Sequence, residues 1–167
     1  MHSWALFTLL VVAVGVLWWR ARREHAEQTI AWDALARALS LGFDPGSRTI
    51  RGKYRLLRLE ITARRGVLGL GRWRTRIAAE YEGVVPEGLA LTADTRGLRA
   101  SARRSGELEP WLEAHRRRAS LSGLLEGGVH VSGHTARVET PGLLTDPERL
   151  RTLLGQLAEL AKLLSLR

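Results

Sequence analysis

The hydrophobic pattern of the chain begins with an unbroken apolar run. Residues 4–19 carry no ionisable side chain and lead directly into a basic flank at 20–23. At about 1.5 Å per residue, a helix over this run is roughly 24 Å long, at the short end for a bilayer core. Tryptophan at both ends of the run is typical of membrane interfaces. The residues that define this predicted membrane anchor are Trp4, Leu10, Trp18, Trp19, Arg20, Arg22 and Arg23.

Two other interpretations of the apolar run have less support. A cleaved signal peptide requires a positively charged start and a small-residue cleavage site, whereas this run begins after Met1, His2 and Ser3 and ends in two tryptophans. A buried core helix of a soluble protein is disfavoured because the run is apolar on every face and is followed by three arginines in four residues. Because basic residues favour the cytoplasmic side, the pattern predicts a single-pass protein of the bacterial inner membrane, with its N-terminus outside and its domain in the cytoplasm.

A helix and four strands are predicted behind the anchor. Apolar residues recur at helical spacing over 24–41, and Gly42 follows as a stop signal. The next segments alternate between apolar and polar residues, which predicts strands separated by Pro and Gly turns. These strands are 48–52, 57–64, 72–82 and 89–95. Their short links predict an antiparallel meander.

The second half of the chain predicts a loop over 96–106, a helix over 107–126 and a hairpin over 129–138. A last helix begins at a capping pattern, Thr145 to Glu148, and carries a stripe of leucines up to Leu164. The stripe is shorter than the three to four heptads of a coiled coil, which favours packing within the chain over pairing with a partner.

These elements predict an α+β fold class. An N-terminal single transmembrane helix precedes a small domain with a mainly antiparallel sheet, built from a four-strand meander plus a hairpin. Helices pack on this sheet, including the C-terminal amphipathic helix. The predicted division is 1–23 for the transmembrane anchor with its basic flank and 24–167 for the cytoplasmic domain.

The charge of the chain is unevenly distributed. The formal net charge is +9, and residues 20–118 hold 21 basic against 12 acidic residues, while 119–167 hold five of each. The basic part permits a negatively charged partner such as anionic lipid or nucleic acid. The near-exclusive use of arginine, with Lys53 and Lys162 the two lysines, also fits the coding bias of a GC-rich genome.

Few residues suggest catalytic or metal chemistry. The chain has no cysteine, which excludes disulfides and thiolate nucleophiles. The glycines at 66–71 lack the order of a phosphate-binding loop and precede a strand. His130 and His134 fall on a hairpin, where a four-residue spacing does not make a metal site. Acidic pairs such as Glu80 and Glu82 lie near arginines. We therefore expect a non-enzymatic protein with no cofactor and no metal.

Arg72, Arg74 and Arg76 form the most distinctive polar feature. A spacing of two along a strand places all three on one face, roughly 6.8 Å apart, which suits phosphates or lipid headgroups. The same pattern is also that of an ordinary solvent-facing strand. Trp73 and Tyr81 fall on the opposite face, where they cannot stack on bases beside the arginines, so nucleic acid is an unlikely partner.

Four stretches carry a resemblance to a known family. They are WDALARALSLG at 32–42, IRG at 50–52, VVPEGL at 84–89 and GVHV at 128–131. In these the chain resembles an uncharacterised bacterial family of single-pass, membrane-anchored proteins with a small α+β domain. The resemblance implies an architecture and no activity.

Two hypotheses for function follow from the sequence. The first is a membrane-tethered, non-enzymatic interaction or scaffold module that engages a protein partner. The alternative is an electrostatic binder of anionic lipid headgroups or nucleic acid through the arginine-rich strand face. The oligomeric state is left open.

Overall fold

The structure, a computed structural model, describes residues 3–64 and 72–166. Its four α-helices are α1 (Ser3–Ala38), α2 (Ser105–Glu113), α3 (Arg117–Leu125) and α4 (Pro147–Leu164). A short 3₁₀ helix, Ala114–Arg116, lies between α2 and α3. Its eight strands are β1 (Gly42–Asp44), β2 (Thr49–Tyr54), β3 (Leu57–Arg64), β4 (Arg74–Glu80), β5 (Ala90–Asp94), β6 (Gly97–Ser101), β7 (Val129–Ser132) and β8 (Thr135–Pro141).

All eight described strands join one antiparallel sheet, in the order β1-β2-β3-β4-β8-β7-β5-β6, and the fold is α+β. The predicted division into a four-strand meander and a separate hairpin is wrong. The hairpin β7–β8 lies between β4 and β5, because β8 pairs with β4 and β7 pairs with β5. The predicted loop over 96–106 is also wrong in part, since β6 forms there and pairs with β5.

One face of the sheet forms the core together with the helices. Strand alternation turns the apolar residues of every central strand to the same side, where Ile50, Ile61, Ile77, Leu91 and Val138 are buried. The end of α1 and the apolar faces of α2, α3 and α4 contribute to the same core cluster. The opposite face keeps its charged side chains, and we call it the open face.

The C-terminal helix α4 is present where the leucine stripe predicts it. Asp146, rather than Thr145, is the N-cap, and its carboxylate accepts hydrogen bonds from the backbone N–H of Glu148 at 2.9 Å and of Arg149 at 3.4 Å. Pro147 fits the first turn, which needs no donor there. The stripe is buried inside the chain, as intramolecular packing requires.

The helix predicted over 107–126 is interrupted in its middle. His115 and Arg116 have φ of 57° and 53°, in the left-handed region, and separate α2 from α3. Such a conformation is unfavourable for non-glycine residues. It permits α3 to start in a new direction and brings Arg117 into the interior.

The predicted transmembrane anchor is wrong. Over the residues that the structure describes, no helix combines the length and apolarity needed to cross a membrane. The physical reason lies in the run itself, because 4–19 is shorter than the about 20 apolar residues that a bilayer core requires, and α1 continues through polar residues before it enters the core at Trp32. The same finding overturns the single-span membrane partner, the inner-membrane localisation and the topology with an outside N-terminus.

The residues chosen for the anchor lie on one continuous helix that runs past position 23 to Ala38. Trp4, Trp18 and Trp19 are exposed. The Arg22 guanidinium lies 5.1 Å from the ring centroid of Trp18, and that of Arg23 lies 5.8 Å from the ring centroid of Trp19. The side chains of Leu10 and Arg20 lie outside the described residues.

Candidate functional site

The open face is rich in charge where β2, β3, β4 and β8 adjoin. Alternate residues of these strands turn away from the core and are exposed or half-buried. The charged members are Arg51, Lys53, Arg58, Glu60, Arg64, Arg74, Arg76, Glu80, Arg137 and Glu139. The sheet therefore presents seven cations and three carboxylates on one continuous surface.

Strand register arranges these side chains in rows across the sheet. One row runs Arg51, Glu60, Ala78 and Arg137 from β2 to β8. The neighbouring row runs Lys53, Arg58, Glu80 and Thr135. Adjacent strands are about 4.8 Å apart, so residues in a row are direct neighbours. The register thus brings together residues that are up to 86 positions apart in the chain, Arg51 and Arg137.

A shallow basin of about 550 Å³ lies in the middle of these rows. Residues with small side chains or none, Gly52, Ala78 and Thr135, line it together with Thr62. The cations that line it are Arg51, Lys53, Arg58, Arg64, Arg76 and Arg137. Two carboxylates, Glu60 and Glu80, also line it, so positive charge exceeds negative charge by four. We call this feature the basic basin.

Ion pairs engage only some of the basin's cations. Arg51 Nε lies 3.2 Å from the Glu60 carboxylate, and Arg76 Nε lies 4.0 Å from that of Glu139. Exposed pairs of this kind contribute little to stability and exchange readily with other partners. Within the described residues no carboxylate forms an ion pair with the remaining four basin cations. These are Lys53, Arg58, Arg64 and Arg137.

The three arginines predicted as anion contacts are only partly brought together. Arg76 lines the basin. Arg74 lies on the same face beyond the basin, directly opposite Arg64 and 3.9 Å from Glu139. Arg72 precedes β4 and is exposed. Arg74 and Arg76 of this strand therefore lie on the open face, as predicted, but only Arg76 lines the basin.

Sequence reasoning missed most of the basin. The alternation along 57–64 already placed Arg58 on the polar side of its strand, but no signal indicated which strand lay beside it. Arg137 belongs to the hairpin that was predicted to stand apart from the meander. Its place beside Ala78 depends on the pairing of β4 with β8.

The other candidates form no site among the residues that the structure describes. Among the described residues, no group of three or more His, Asp or Glu side chains is placed to hold a metal ion. His134 packs against the Tyr81 ring with centroids 5.9 Å apart, and His130 is exposed on β7. The glycine-rich stretch 66–71 lies outside the described residues.

Comparison of the chain with protein families, with curated proteins and with solved structures finds no match. The resemblance to single-pass α+β proteins is therefore left as a prediction. The case for a function comes from the basic basin itself.

Proposed function

We propose that the chain is a non-enzymatic binding module whose basic basin holds a phosphate-bearing anion. The observation that carries this proposal is the arrangement of six cations around one basin, four of them without an ion-pair partner in the described residues. Guanidinium groups offer paired donors that match two oxygens of a phosphate. A multiply charged anion would engage several of these groups at once.

The shape and lining of the basin favour binding of a charged group over binding of an aromatic ring such as a nucleobase. Its volume of about 550 Å³ falls within the usual range of ligand sites. No aromatic side chain is among the described residues that line it, so bases would find no stacking surface there. The shared chemistry is therefore the phosphate group, carried either by a small multiply phosphorylated molecule or by the backbone of a nucleic acid strand.

The test compares two double variants with the same change in net charge. R58Q/R137Q removes two basin cations that lie in neighbouring rows. R96Q/R149Q removes two exposed arginines outside the basin, one in the β5–β6 turn and one on α4. Binding of a labelled single-stranded oligonucleotide to the full chain is followed by fluorescence anisotropy over a range of salt concentrations, with inorganic tripolyphosphate as the second probe.

The proposal expects weaker binding of at least one probe by R58Q/R137Q and unchanged binding by R96Q/R149Q. If the oligonucleotide is the ligand, losing two phosphate contacts lowers the slope of log affinity against log salt by about 1.4. If tripolyphosphate binds and the oligonucleotide does not, the ligand is a small phosphorylated molecule. Equal weakening in both variants would indicate a general effect of charge, and no binding of either probe would reject the proposal.

A further inference from the structure

The strand β6 forms one edge of the sheet. It is the last strand in the sheet order, and among the described residues no strand lies beyond it. The strand at the opposite edge, β1, is three residues long, whereas β6 has five. Short or covered edge strands are a usual protection against the addition of a further strand. The longer edge at β6 can therefore accept one.

The register of the sheet shows which backbone groups of β6 face outwards. The Gly133 N–H donates to the Leu89 carbonyl at 2.7 Å, so the odd-numbered residues of this segment turn their backbone groups towards β7. Because the direction of these groups alternates along a strand, the even-numbered residues of β5 bond the odd-numbered residues of β6. The N–H and C=O groups of Leu98 and Ala100 therefore point away from β5. No hydrogen bond within the described residues uses them.

A groove of about 620 Å³ lies beside this edge, on the helix side of the sheet. Leu98 lines it from β6, Leu112 lines it from α2, and Ala119 and Ser122 line it from α3. Leu98 is half-buried, so part of its apolar surface is available in the groove. An added strand turns alternate side chains to the same side of the sheet. Every second residue of such a strand would therefore lie over the groove.

The surroundings of this edge are positively charged. Arg116 and Arg118 line the groove together with one carboxylate, that of Glu113. Arg116 has no ion-pair partner within the described residues. Arg99 lies on β6 between the two outward-facing residues, is exposed, and pairs with Asp94 at 2.6 Å. Exposed ion pairs of this kind are weak. An acidic segment therefore fits this edge better than a basic one.

A second copy of the chain is a poorer occupant of the edge than an acidic peptide. If two β6 strands pair so that both outward-facing residues of each are bonded, Leu98 lies opposite Ala100 and the two Arg99 side chains face each other. Like charges directly opposite each other on adjacent strands are destabilising. The edge therefore favours a strand that carries an acidic residue opposite Arg99.

We propose that β6 binds an extended, acidic peptide segment of a partner protein as an added antiparallel strand. Two residues of the segment exchange backbone hydrogen bonds with Leu98 and Ala100, and their apolar side chains lie over the groove. The residue between them turns to the other side, where its carboxylate faces Arg99. Backbone bonds give such strand addition its affinity, and alternate side chains give it specificity. The proposal is independent of the basic basin, because the groove and the basin share no lining residue.

The probe is a short fluorescein-labelled peptide with Val-Glu-Val at its centre and Gly-Ser at each end. Its binding to the full chain is followed by fluorescence anisotropy at protein concentrations up to about 1 mM. In the proposed complex both valine N–H groups bond β6, and the glutamate N–H points to solvent. N-methylation of both valines should weaken binding about tenfold or more, because two hydrogen bonds are lost. N-methylation of the glutamate is the matched control and should change binding by less than about twofold.

Variants of the chain test the same contact from the other side. A100P removes an outward N–H and no bond to β5, which an edge strand tolerates, and should weaken binding about threefold or more. R99E places a carboxylate opposite the glutamate of the peptide. It should weaken binding about threefold or more, and should bind a Val-Lys-Val peptide more tightly than the unmodified chain does. R96E makes the same change of charge in the β5–β6 turn and should leave binding of both peptides within about twofold.

Four results would overturn the proposal. The first is no binding of the Val-Glu-Val peptide at about 1 mM protein. The second is an equal effect of N-methylation at valine and at glutamate, which would show that the peptide does not pair with the edge. The third is a loss of binding in R58Q/R137Q, which would place the peptide in the basic basin. The fourth is a dimer of the free chain, measured by sedimentation, that A100P converts to a monomer, because a second copy would then occupy the edge.

Discussion

Thr75 and Thr140 are directly opposite each other across β4 and β8, yet their hydroxyl groups have different environments. The Thr75 hydroxyl donates to the Gly142 carbonyl at 3.0 Å and accepts from the Leu144 N–H at 2.9 Å. The Thr140 hydroxyl is buried and has no hydrogen-bond partner in the described residues. Thr75 therefore ties the segment that leads into α4 to the centre of the sheet, whereas Thr140 contributes no such bond.

Replacing each threonine with valine separates these two roles. T75V should lower the free energy of unfolding by about 2–3 kcal/mol, because two backbone groups near a fully buried position lose their partner. T140V keeps the shape and removes a hydroxyl that makes no bond, so stability should stay within about 0.5 kcal/mol or rise by up to about 1 kcal/mol. Urea unfolding of the two variants measures the difference, and equal losses would contradict the assignment.

Arg117 is a buried cation that is solvated by backbone carbonyls. It is 2% exposed, and its guanidinium donates to the carbonyl of Trp111 at 2.8 Å, to that of Leu163 at 3.4 Å and to that of Leu166. It also lies 4.7 Å from the Trp111 ring centroid. Carbonyls at the end of a helix lack partners within the helix and carry partial negative charge. Arg117 therefore joins the end of α4 to the end of α2.

The several N–H donors of the Arg117 guanidinium are needed to bind these carbonyls, so we expect that lysine cannot substitute for Arg117. R117K keeps the positive charge, but a single ammonium cannot reach carbonyls on both sides, so we expect a loss of about 1.5–3 kcal/mol in the free energy of unfolding. The neighbouring Arg118 pairs with Glu109 at the surface, and R118K should change stability by less than about 0.5 kcal/mol. Chemical denaturation of both variants measures their free energies of unfolding. A loss of less than about 0.5 kcal/mol in R117K would show that a positive charge alone is enough to stabilise this position.

The sequence predicted well the helices and strands whose pattern of apolar residues is visible within the segment itself. The leucines of α4 repeat at helical spacing over 150–164, and β3 and β4 alternate clearly, so each was found close to its observed position. The sequence could not predict that β8 would pair with β4, because strand pairing depends on contacts between distant segments. The basic basin depends on that pairing.

The structure differs from the prediction in two further places, and each difference has a local cause that the sequence pattern does not show. The left-handed conformation of His115 and Arg116 is rare for these residue types and is maintained by the packing around Arg117, so a continuous helix was the reasonable prediction over 107–126. At the N-terminus, the apolar composition of the run was given more weight than its length. Its length of about 24 Å falls short of a bilayer core of about 30 Å, and length was the stronger criterion.

Tyr81 makes the free energy of unfolding depend on pH in the alkaline range. Its side chain is 4% exposed, and its hydroxyl donates to the Gly133 carbonyl at 2.6 Å, which joins the end of β4 to the β7–β8 turn. Burial raises the pKa of Tyr81 well above its ordinary value of 10.0. The folded chain therefore keeps this proton at a pH where the unfolded chain loses it.

The sign of the pH effect follows from this difference in protons bound. Above about pH 10 the unfolded state binds fewer protons than the folded state, so the Tyr81 contribution lowers the free energy of unfolding by up to about 1.4 kcal/mol for each further pH unit. Y81F should cost about 1 kcal/mol near neutral pH through the lost hydrogen bond, and should lose less stability than the unmodified chain as the pH rises from about 9 to about 11. Y54F, at a half-buried tyrosine on β2, serves as the control and should retain the alkaline loss. Urea unfolding curves at a series of pH values measure all three proteins; parallel alkaline profiles for Y81F and the unmodified chain would show that Tyr81 is not the group responsible.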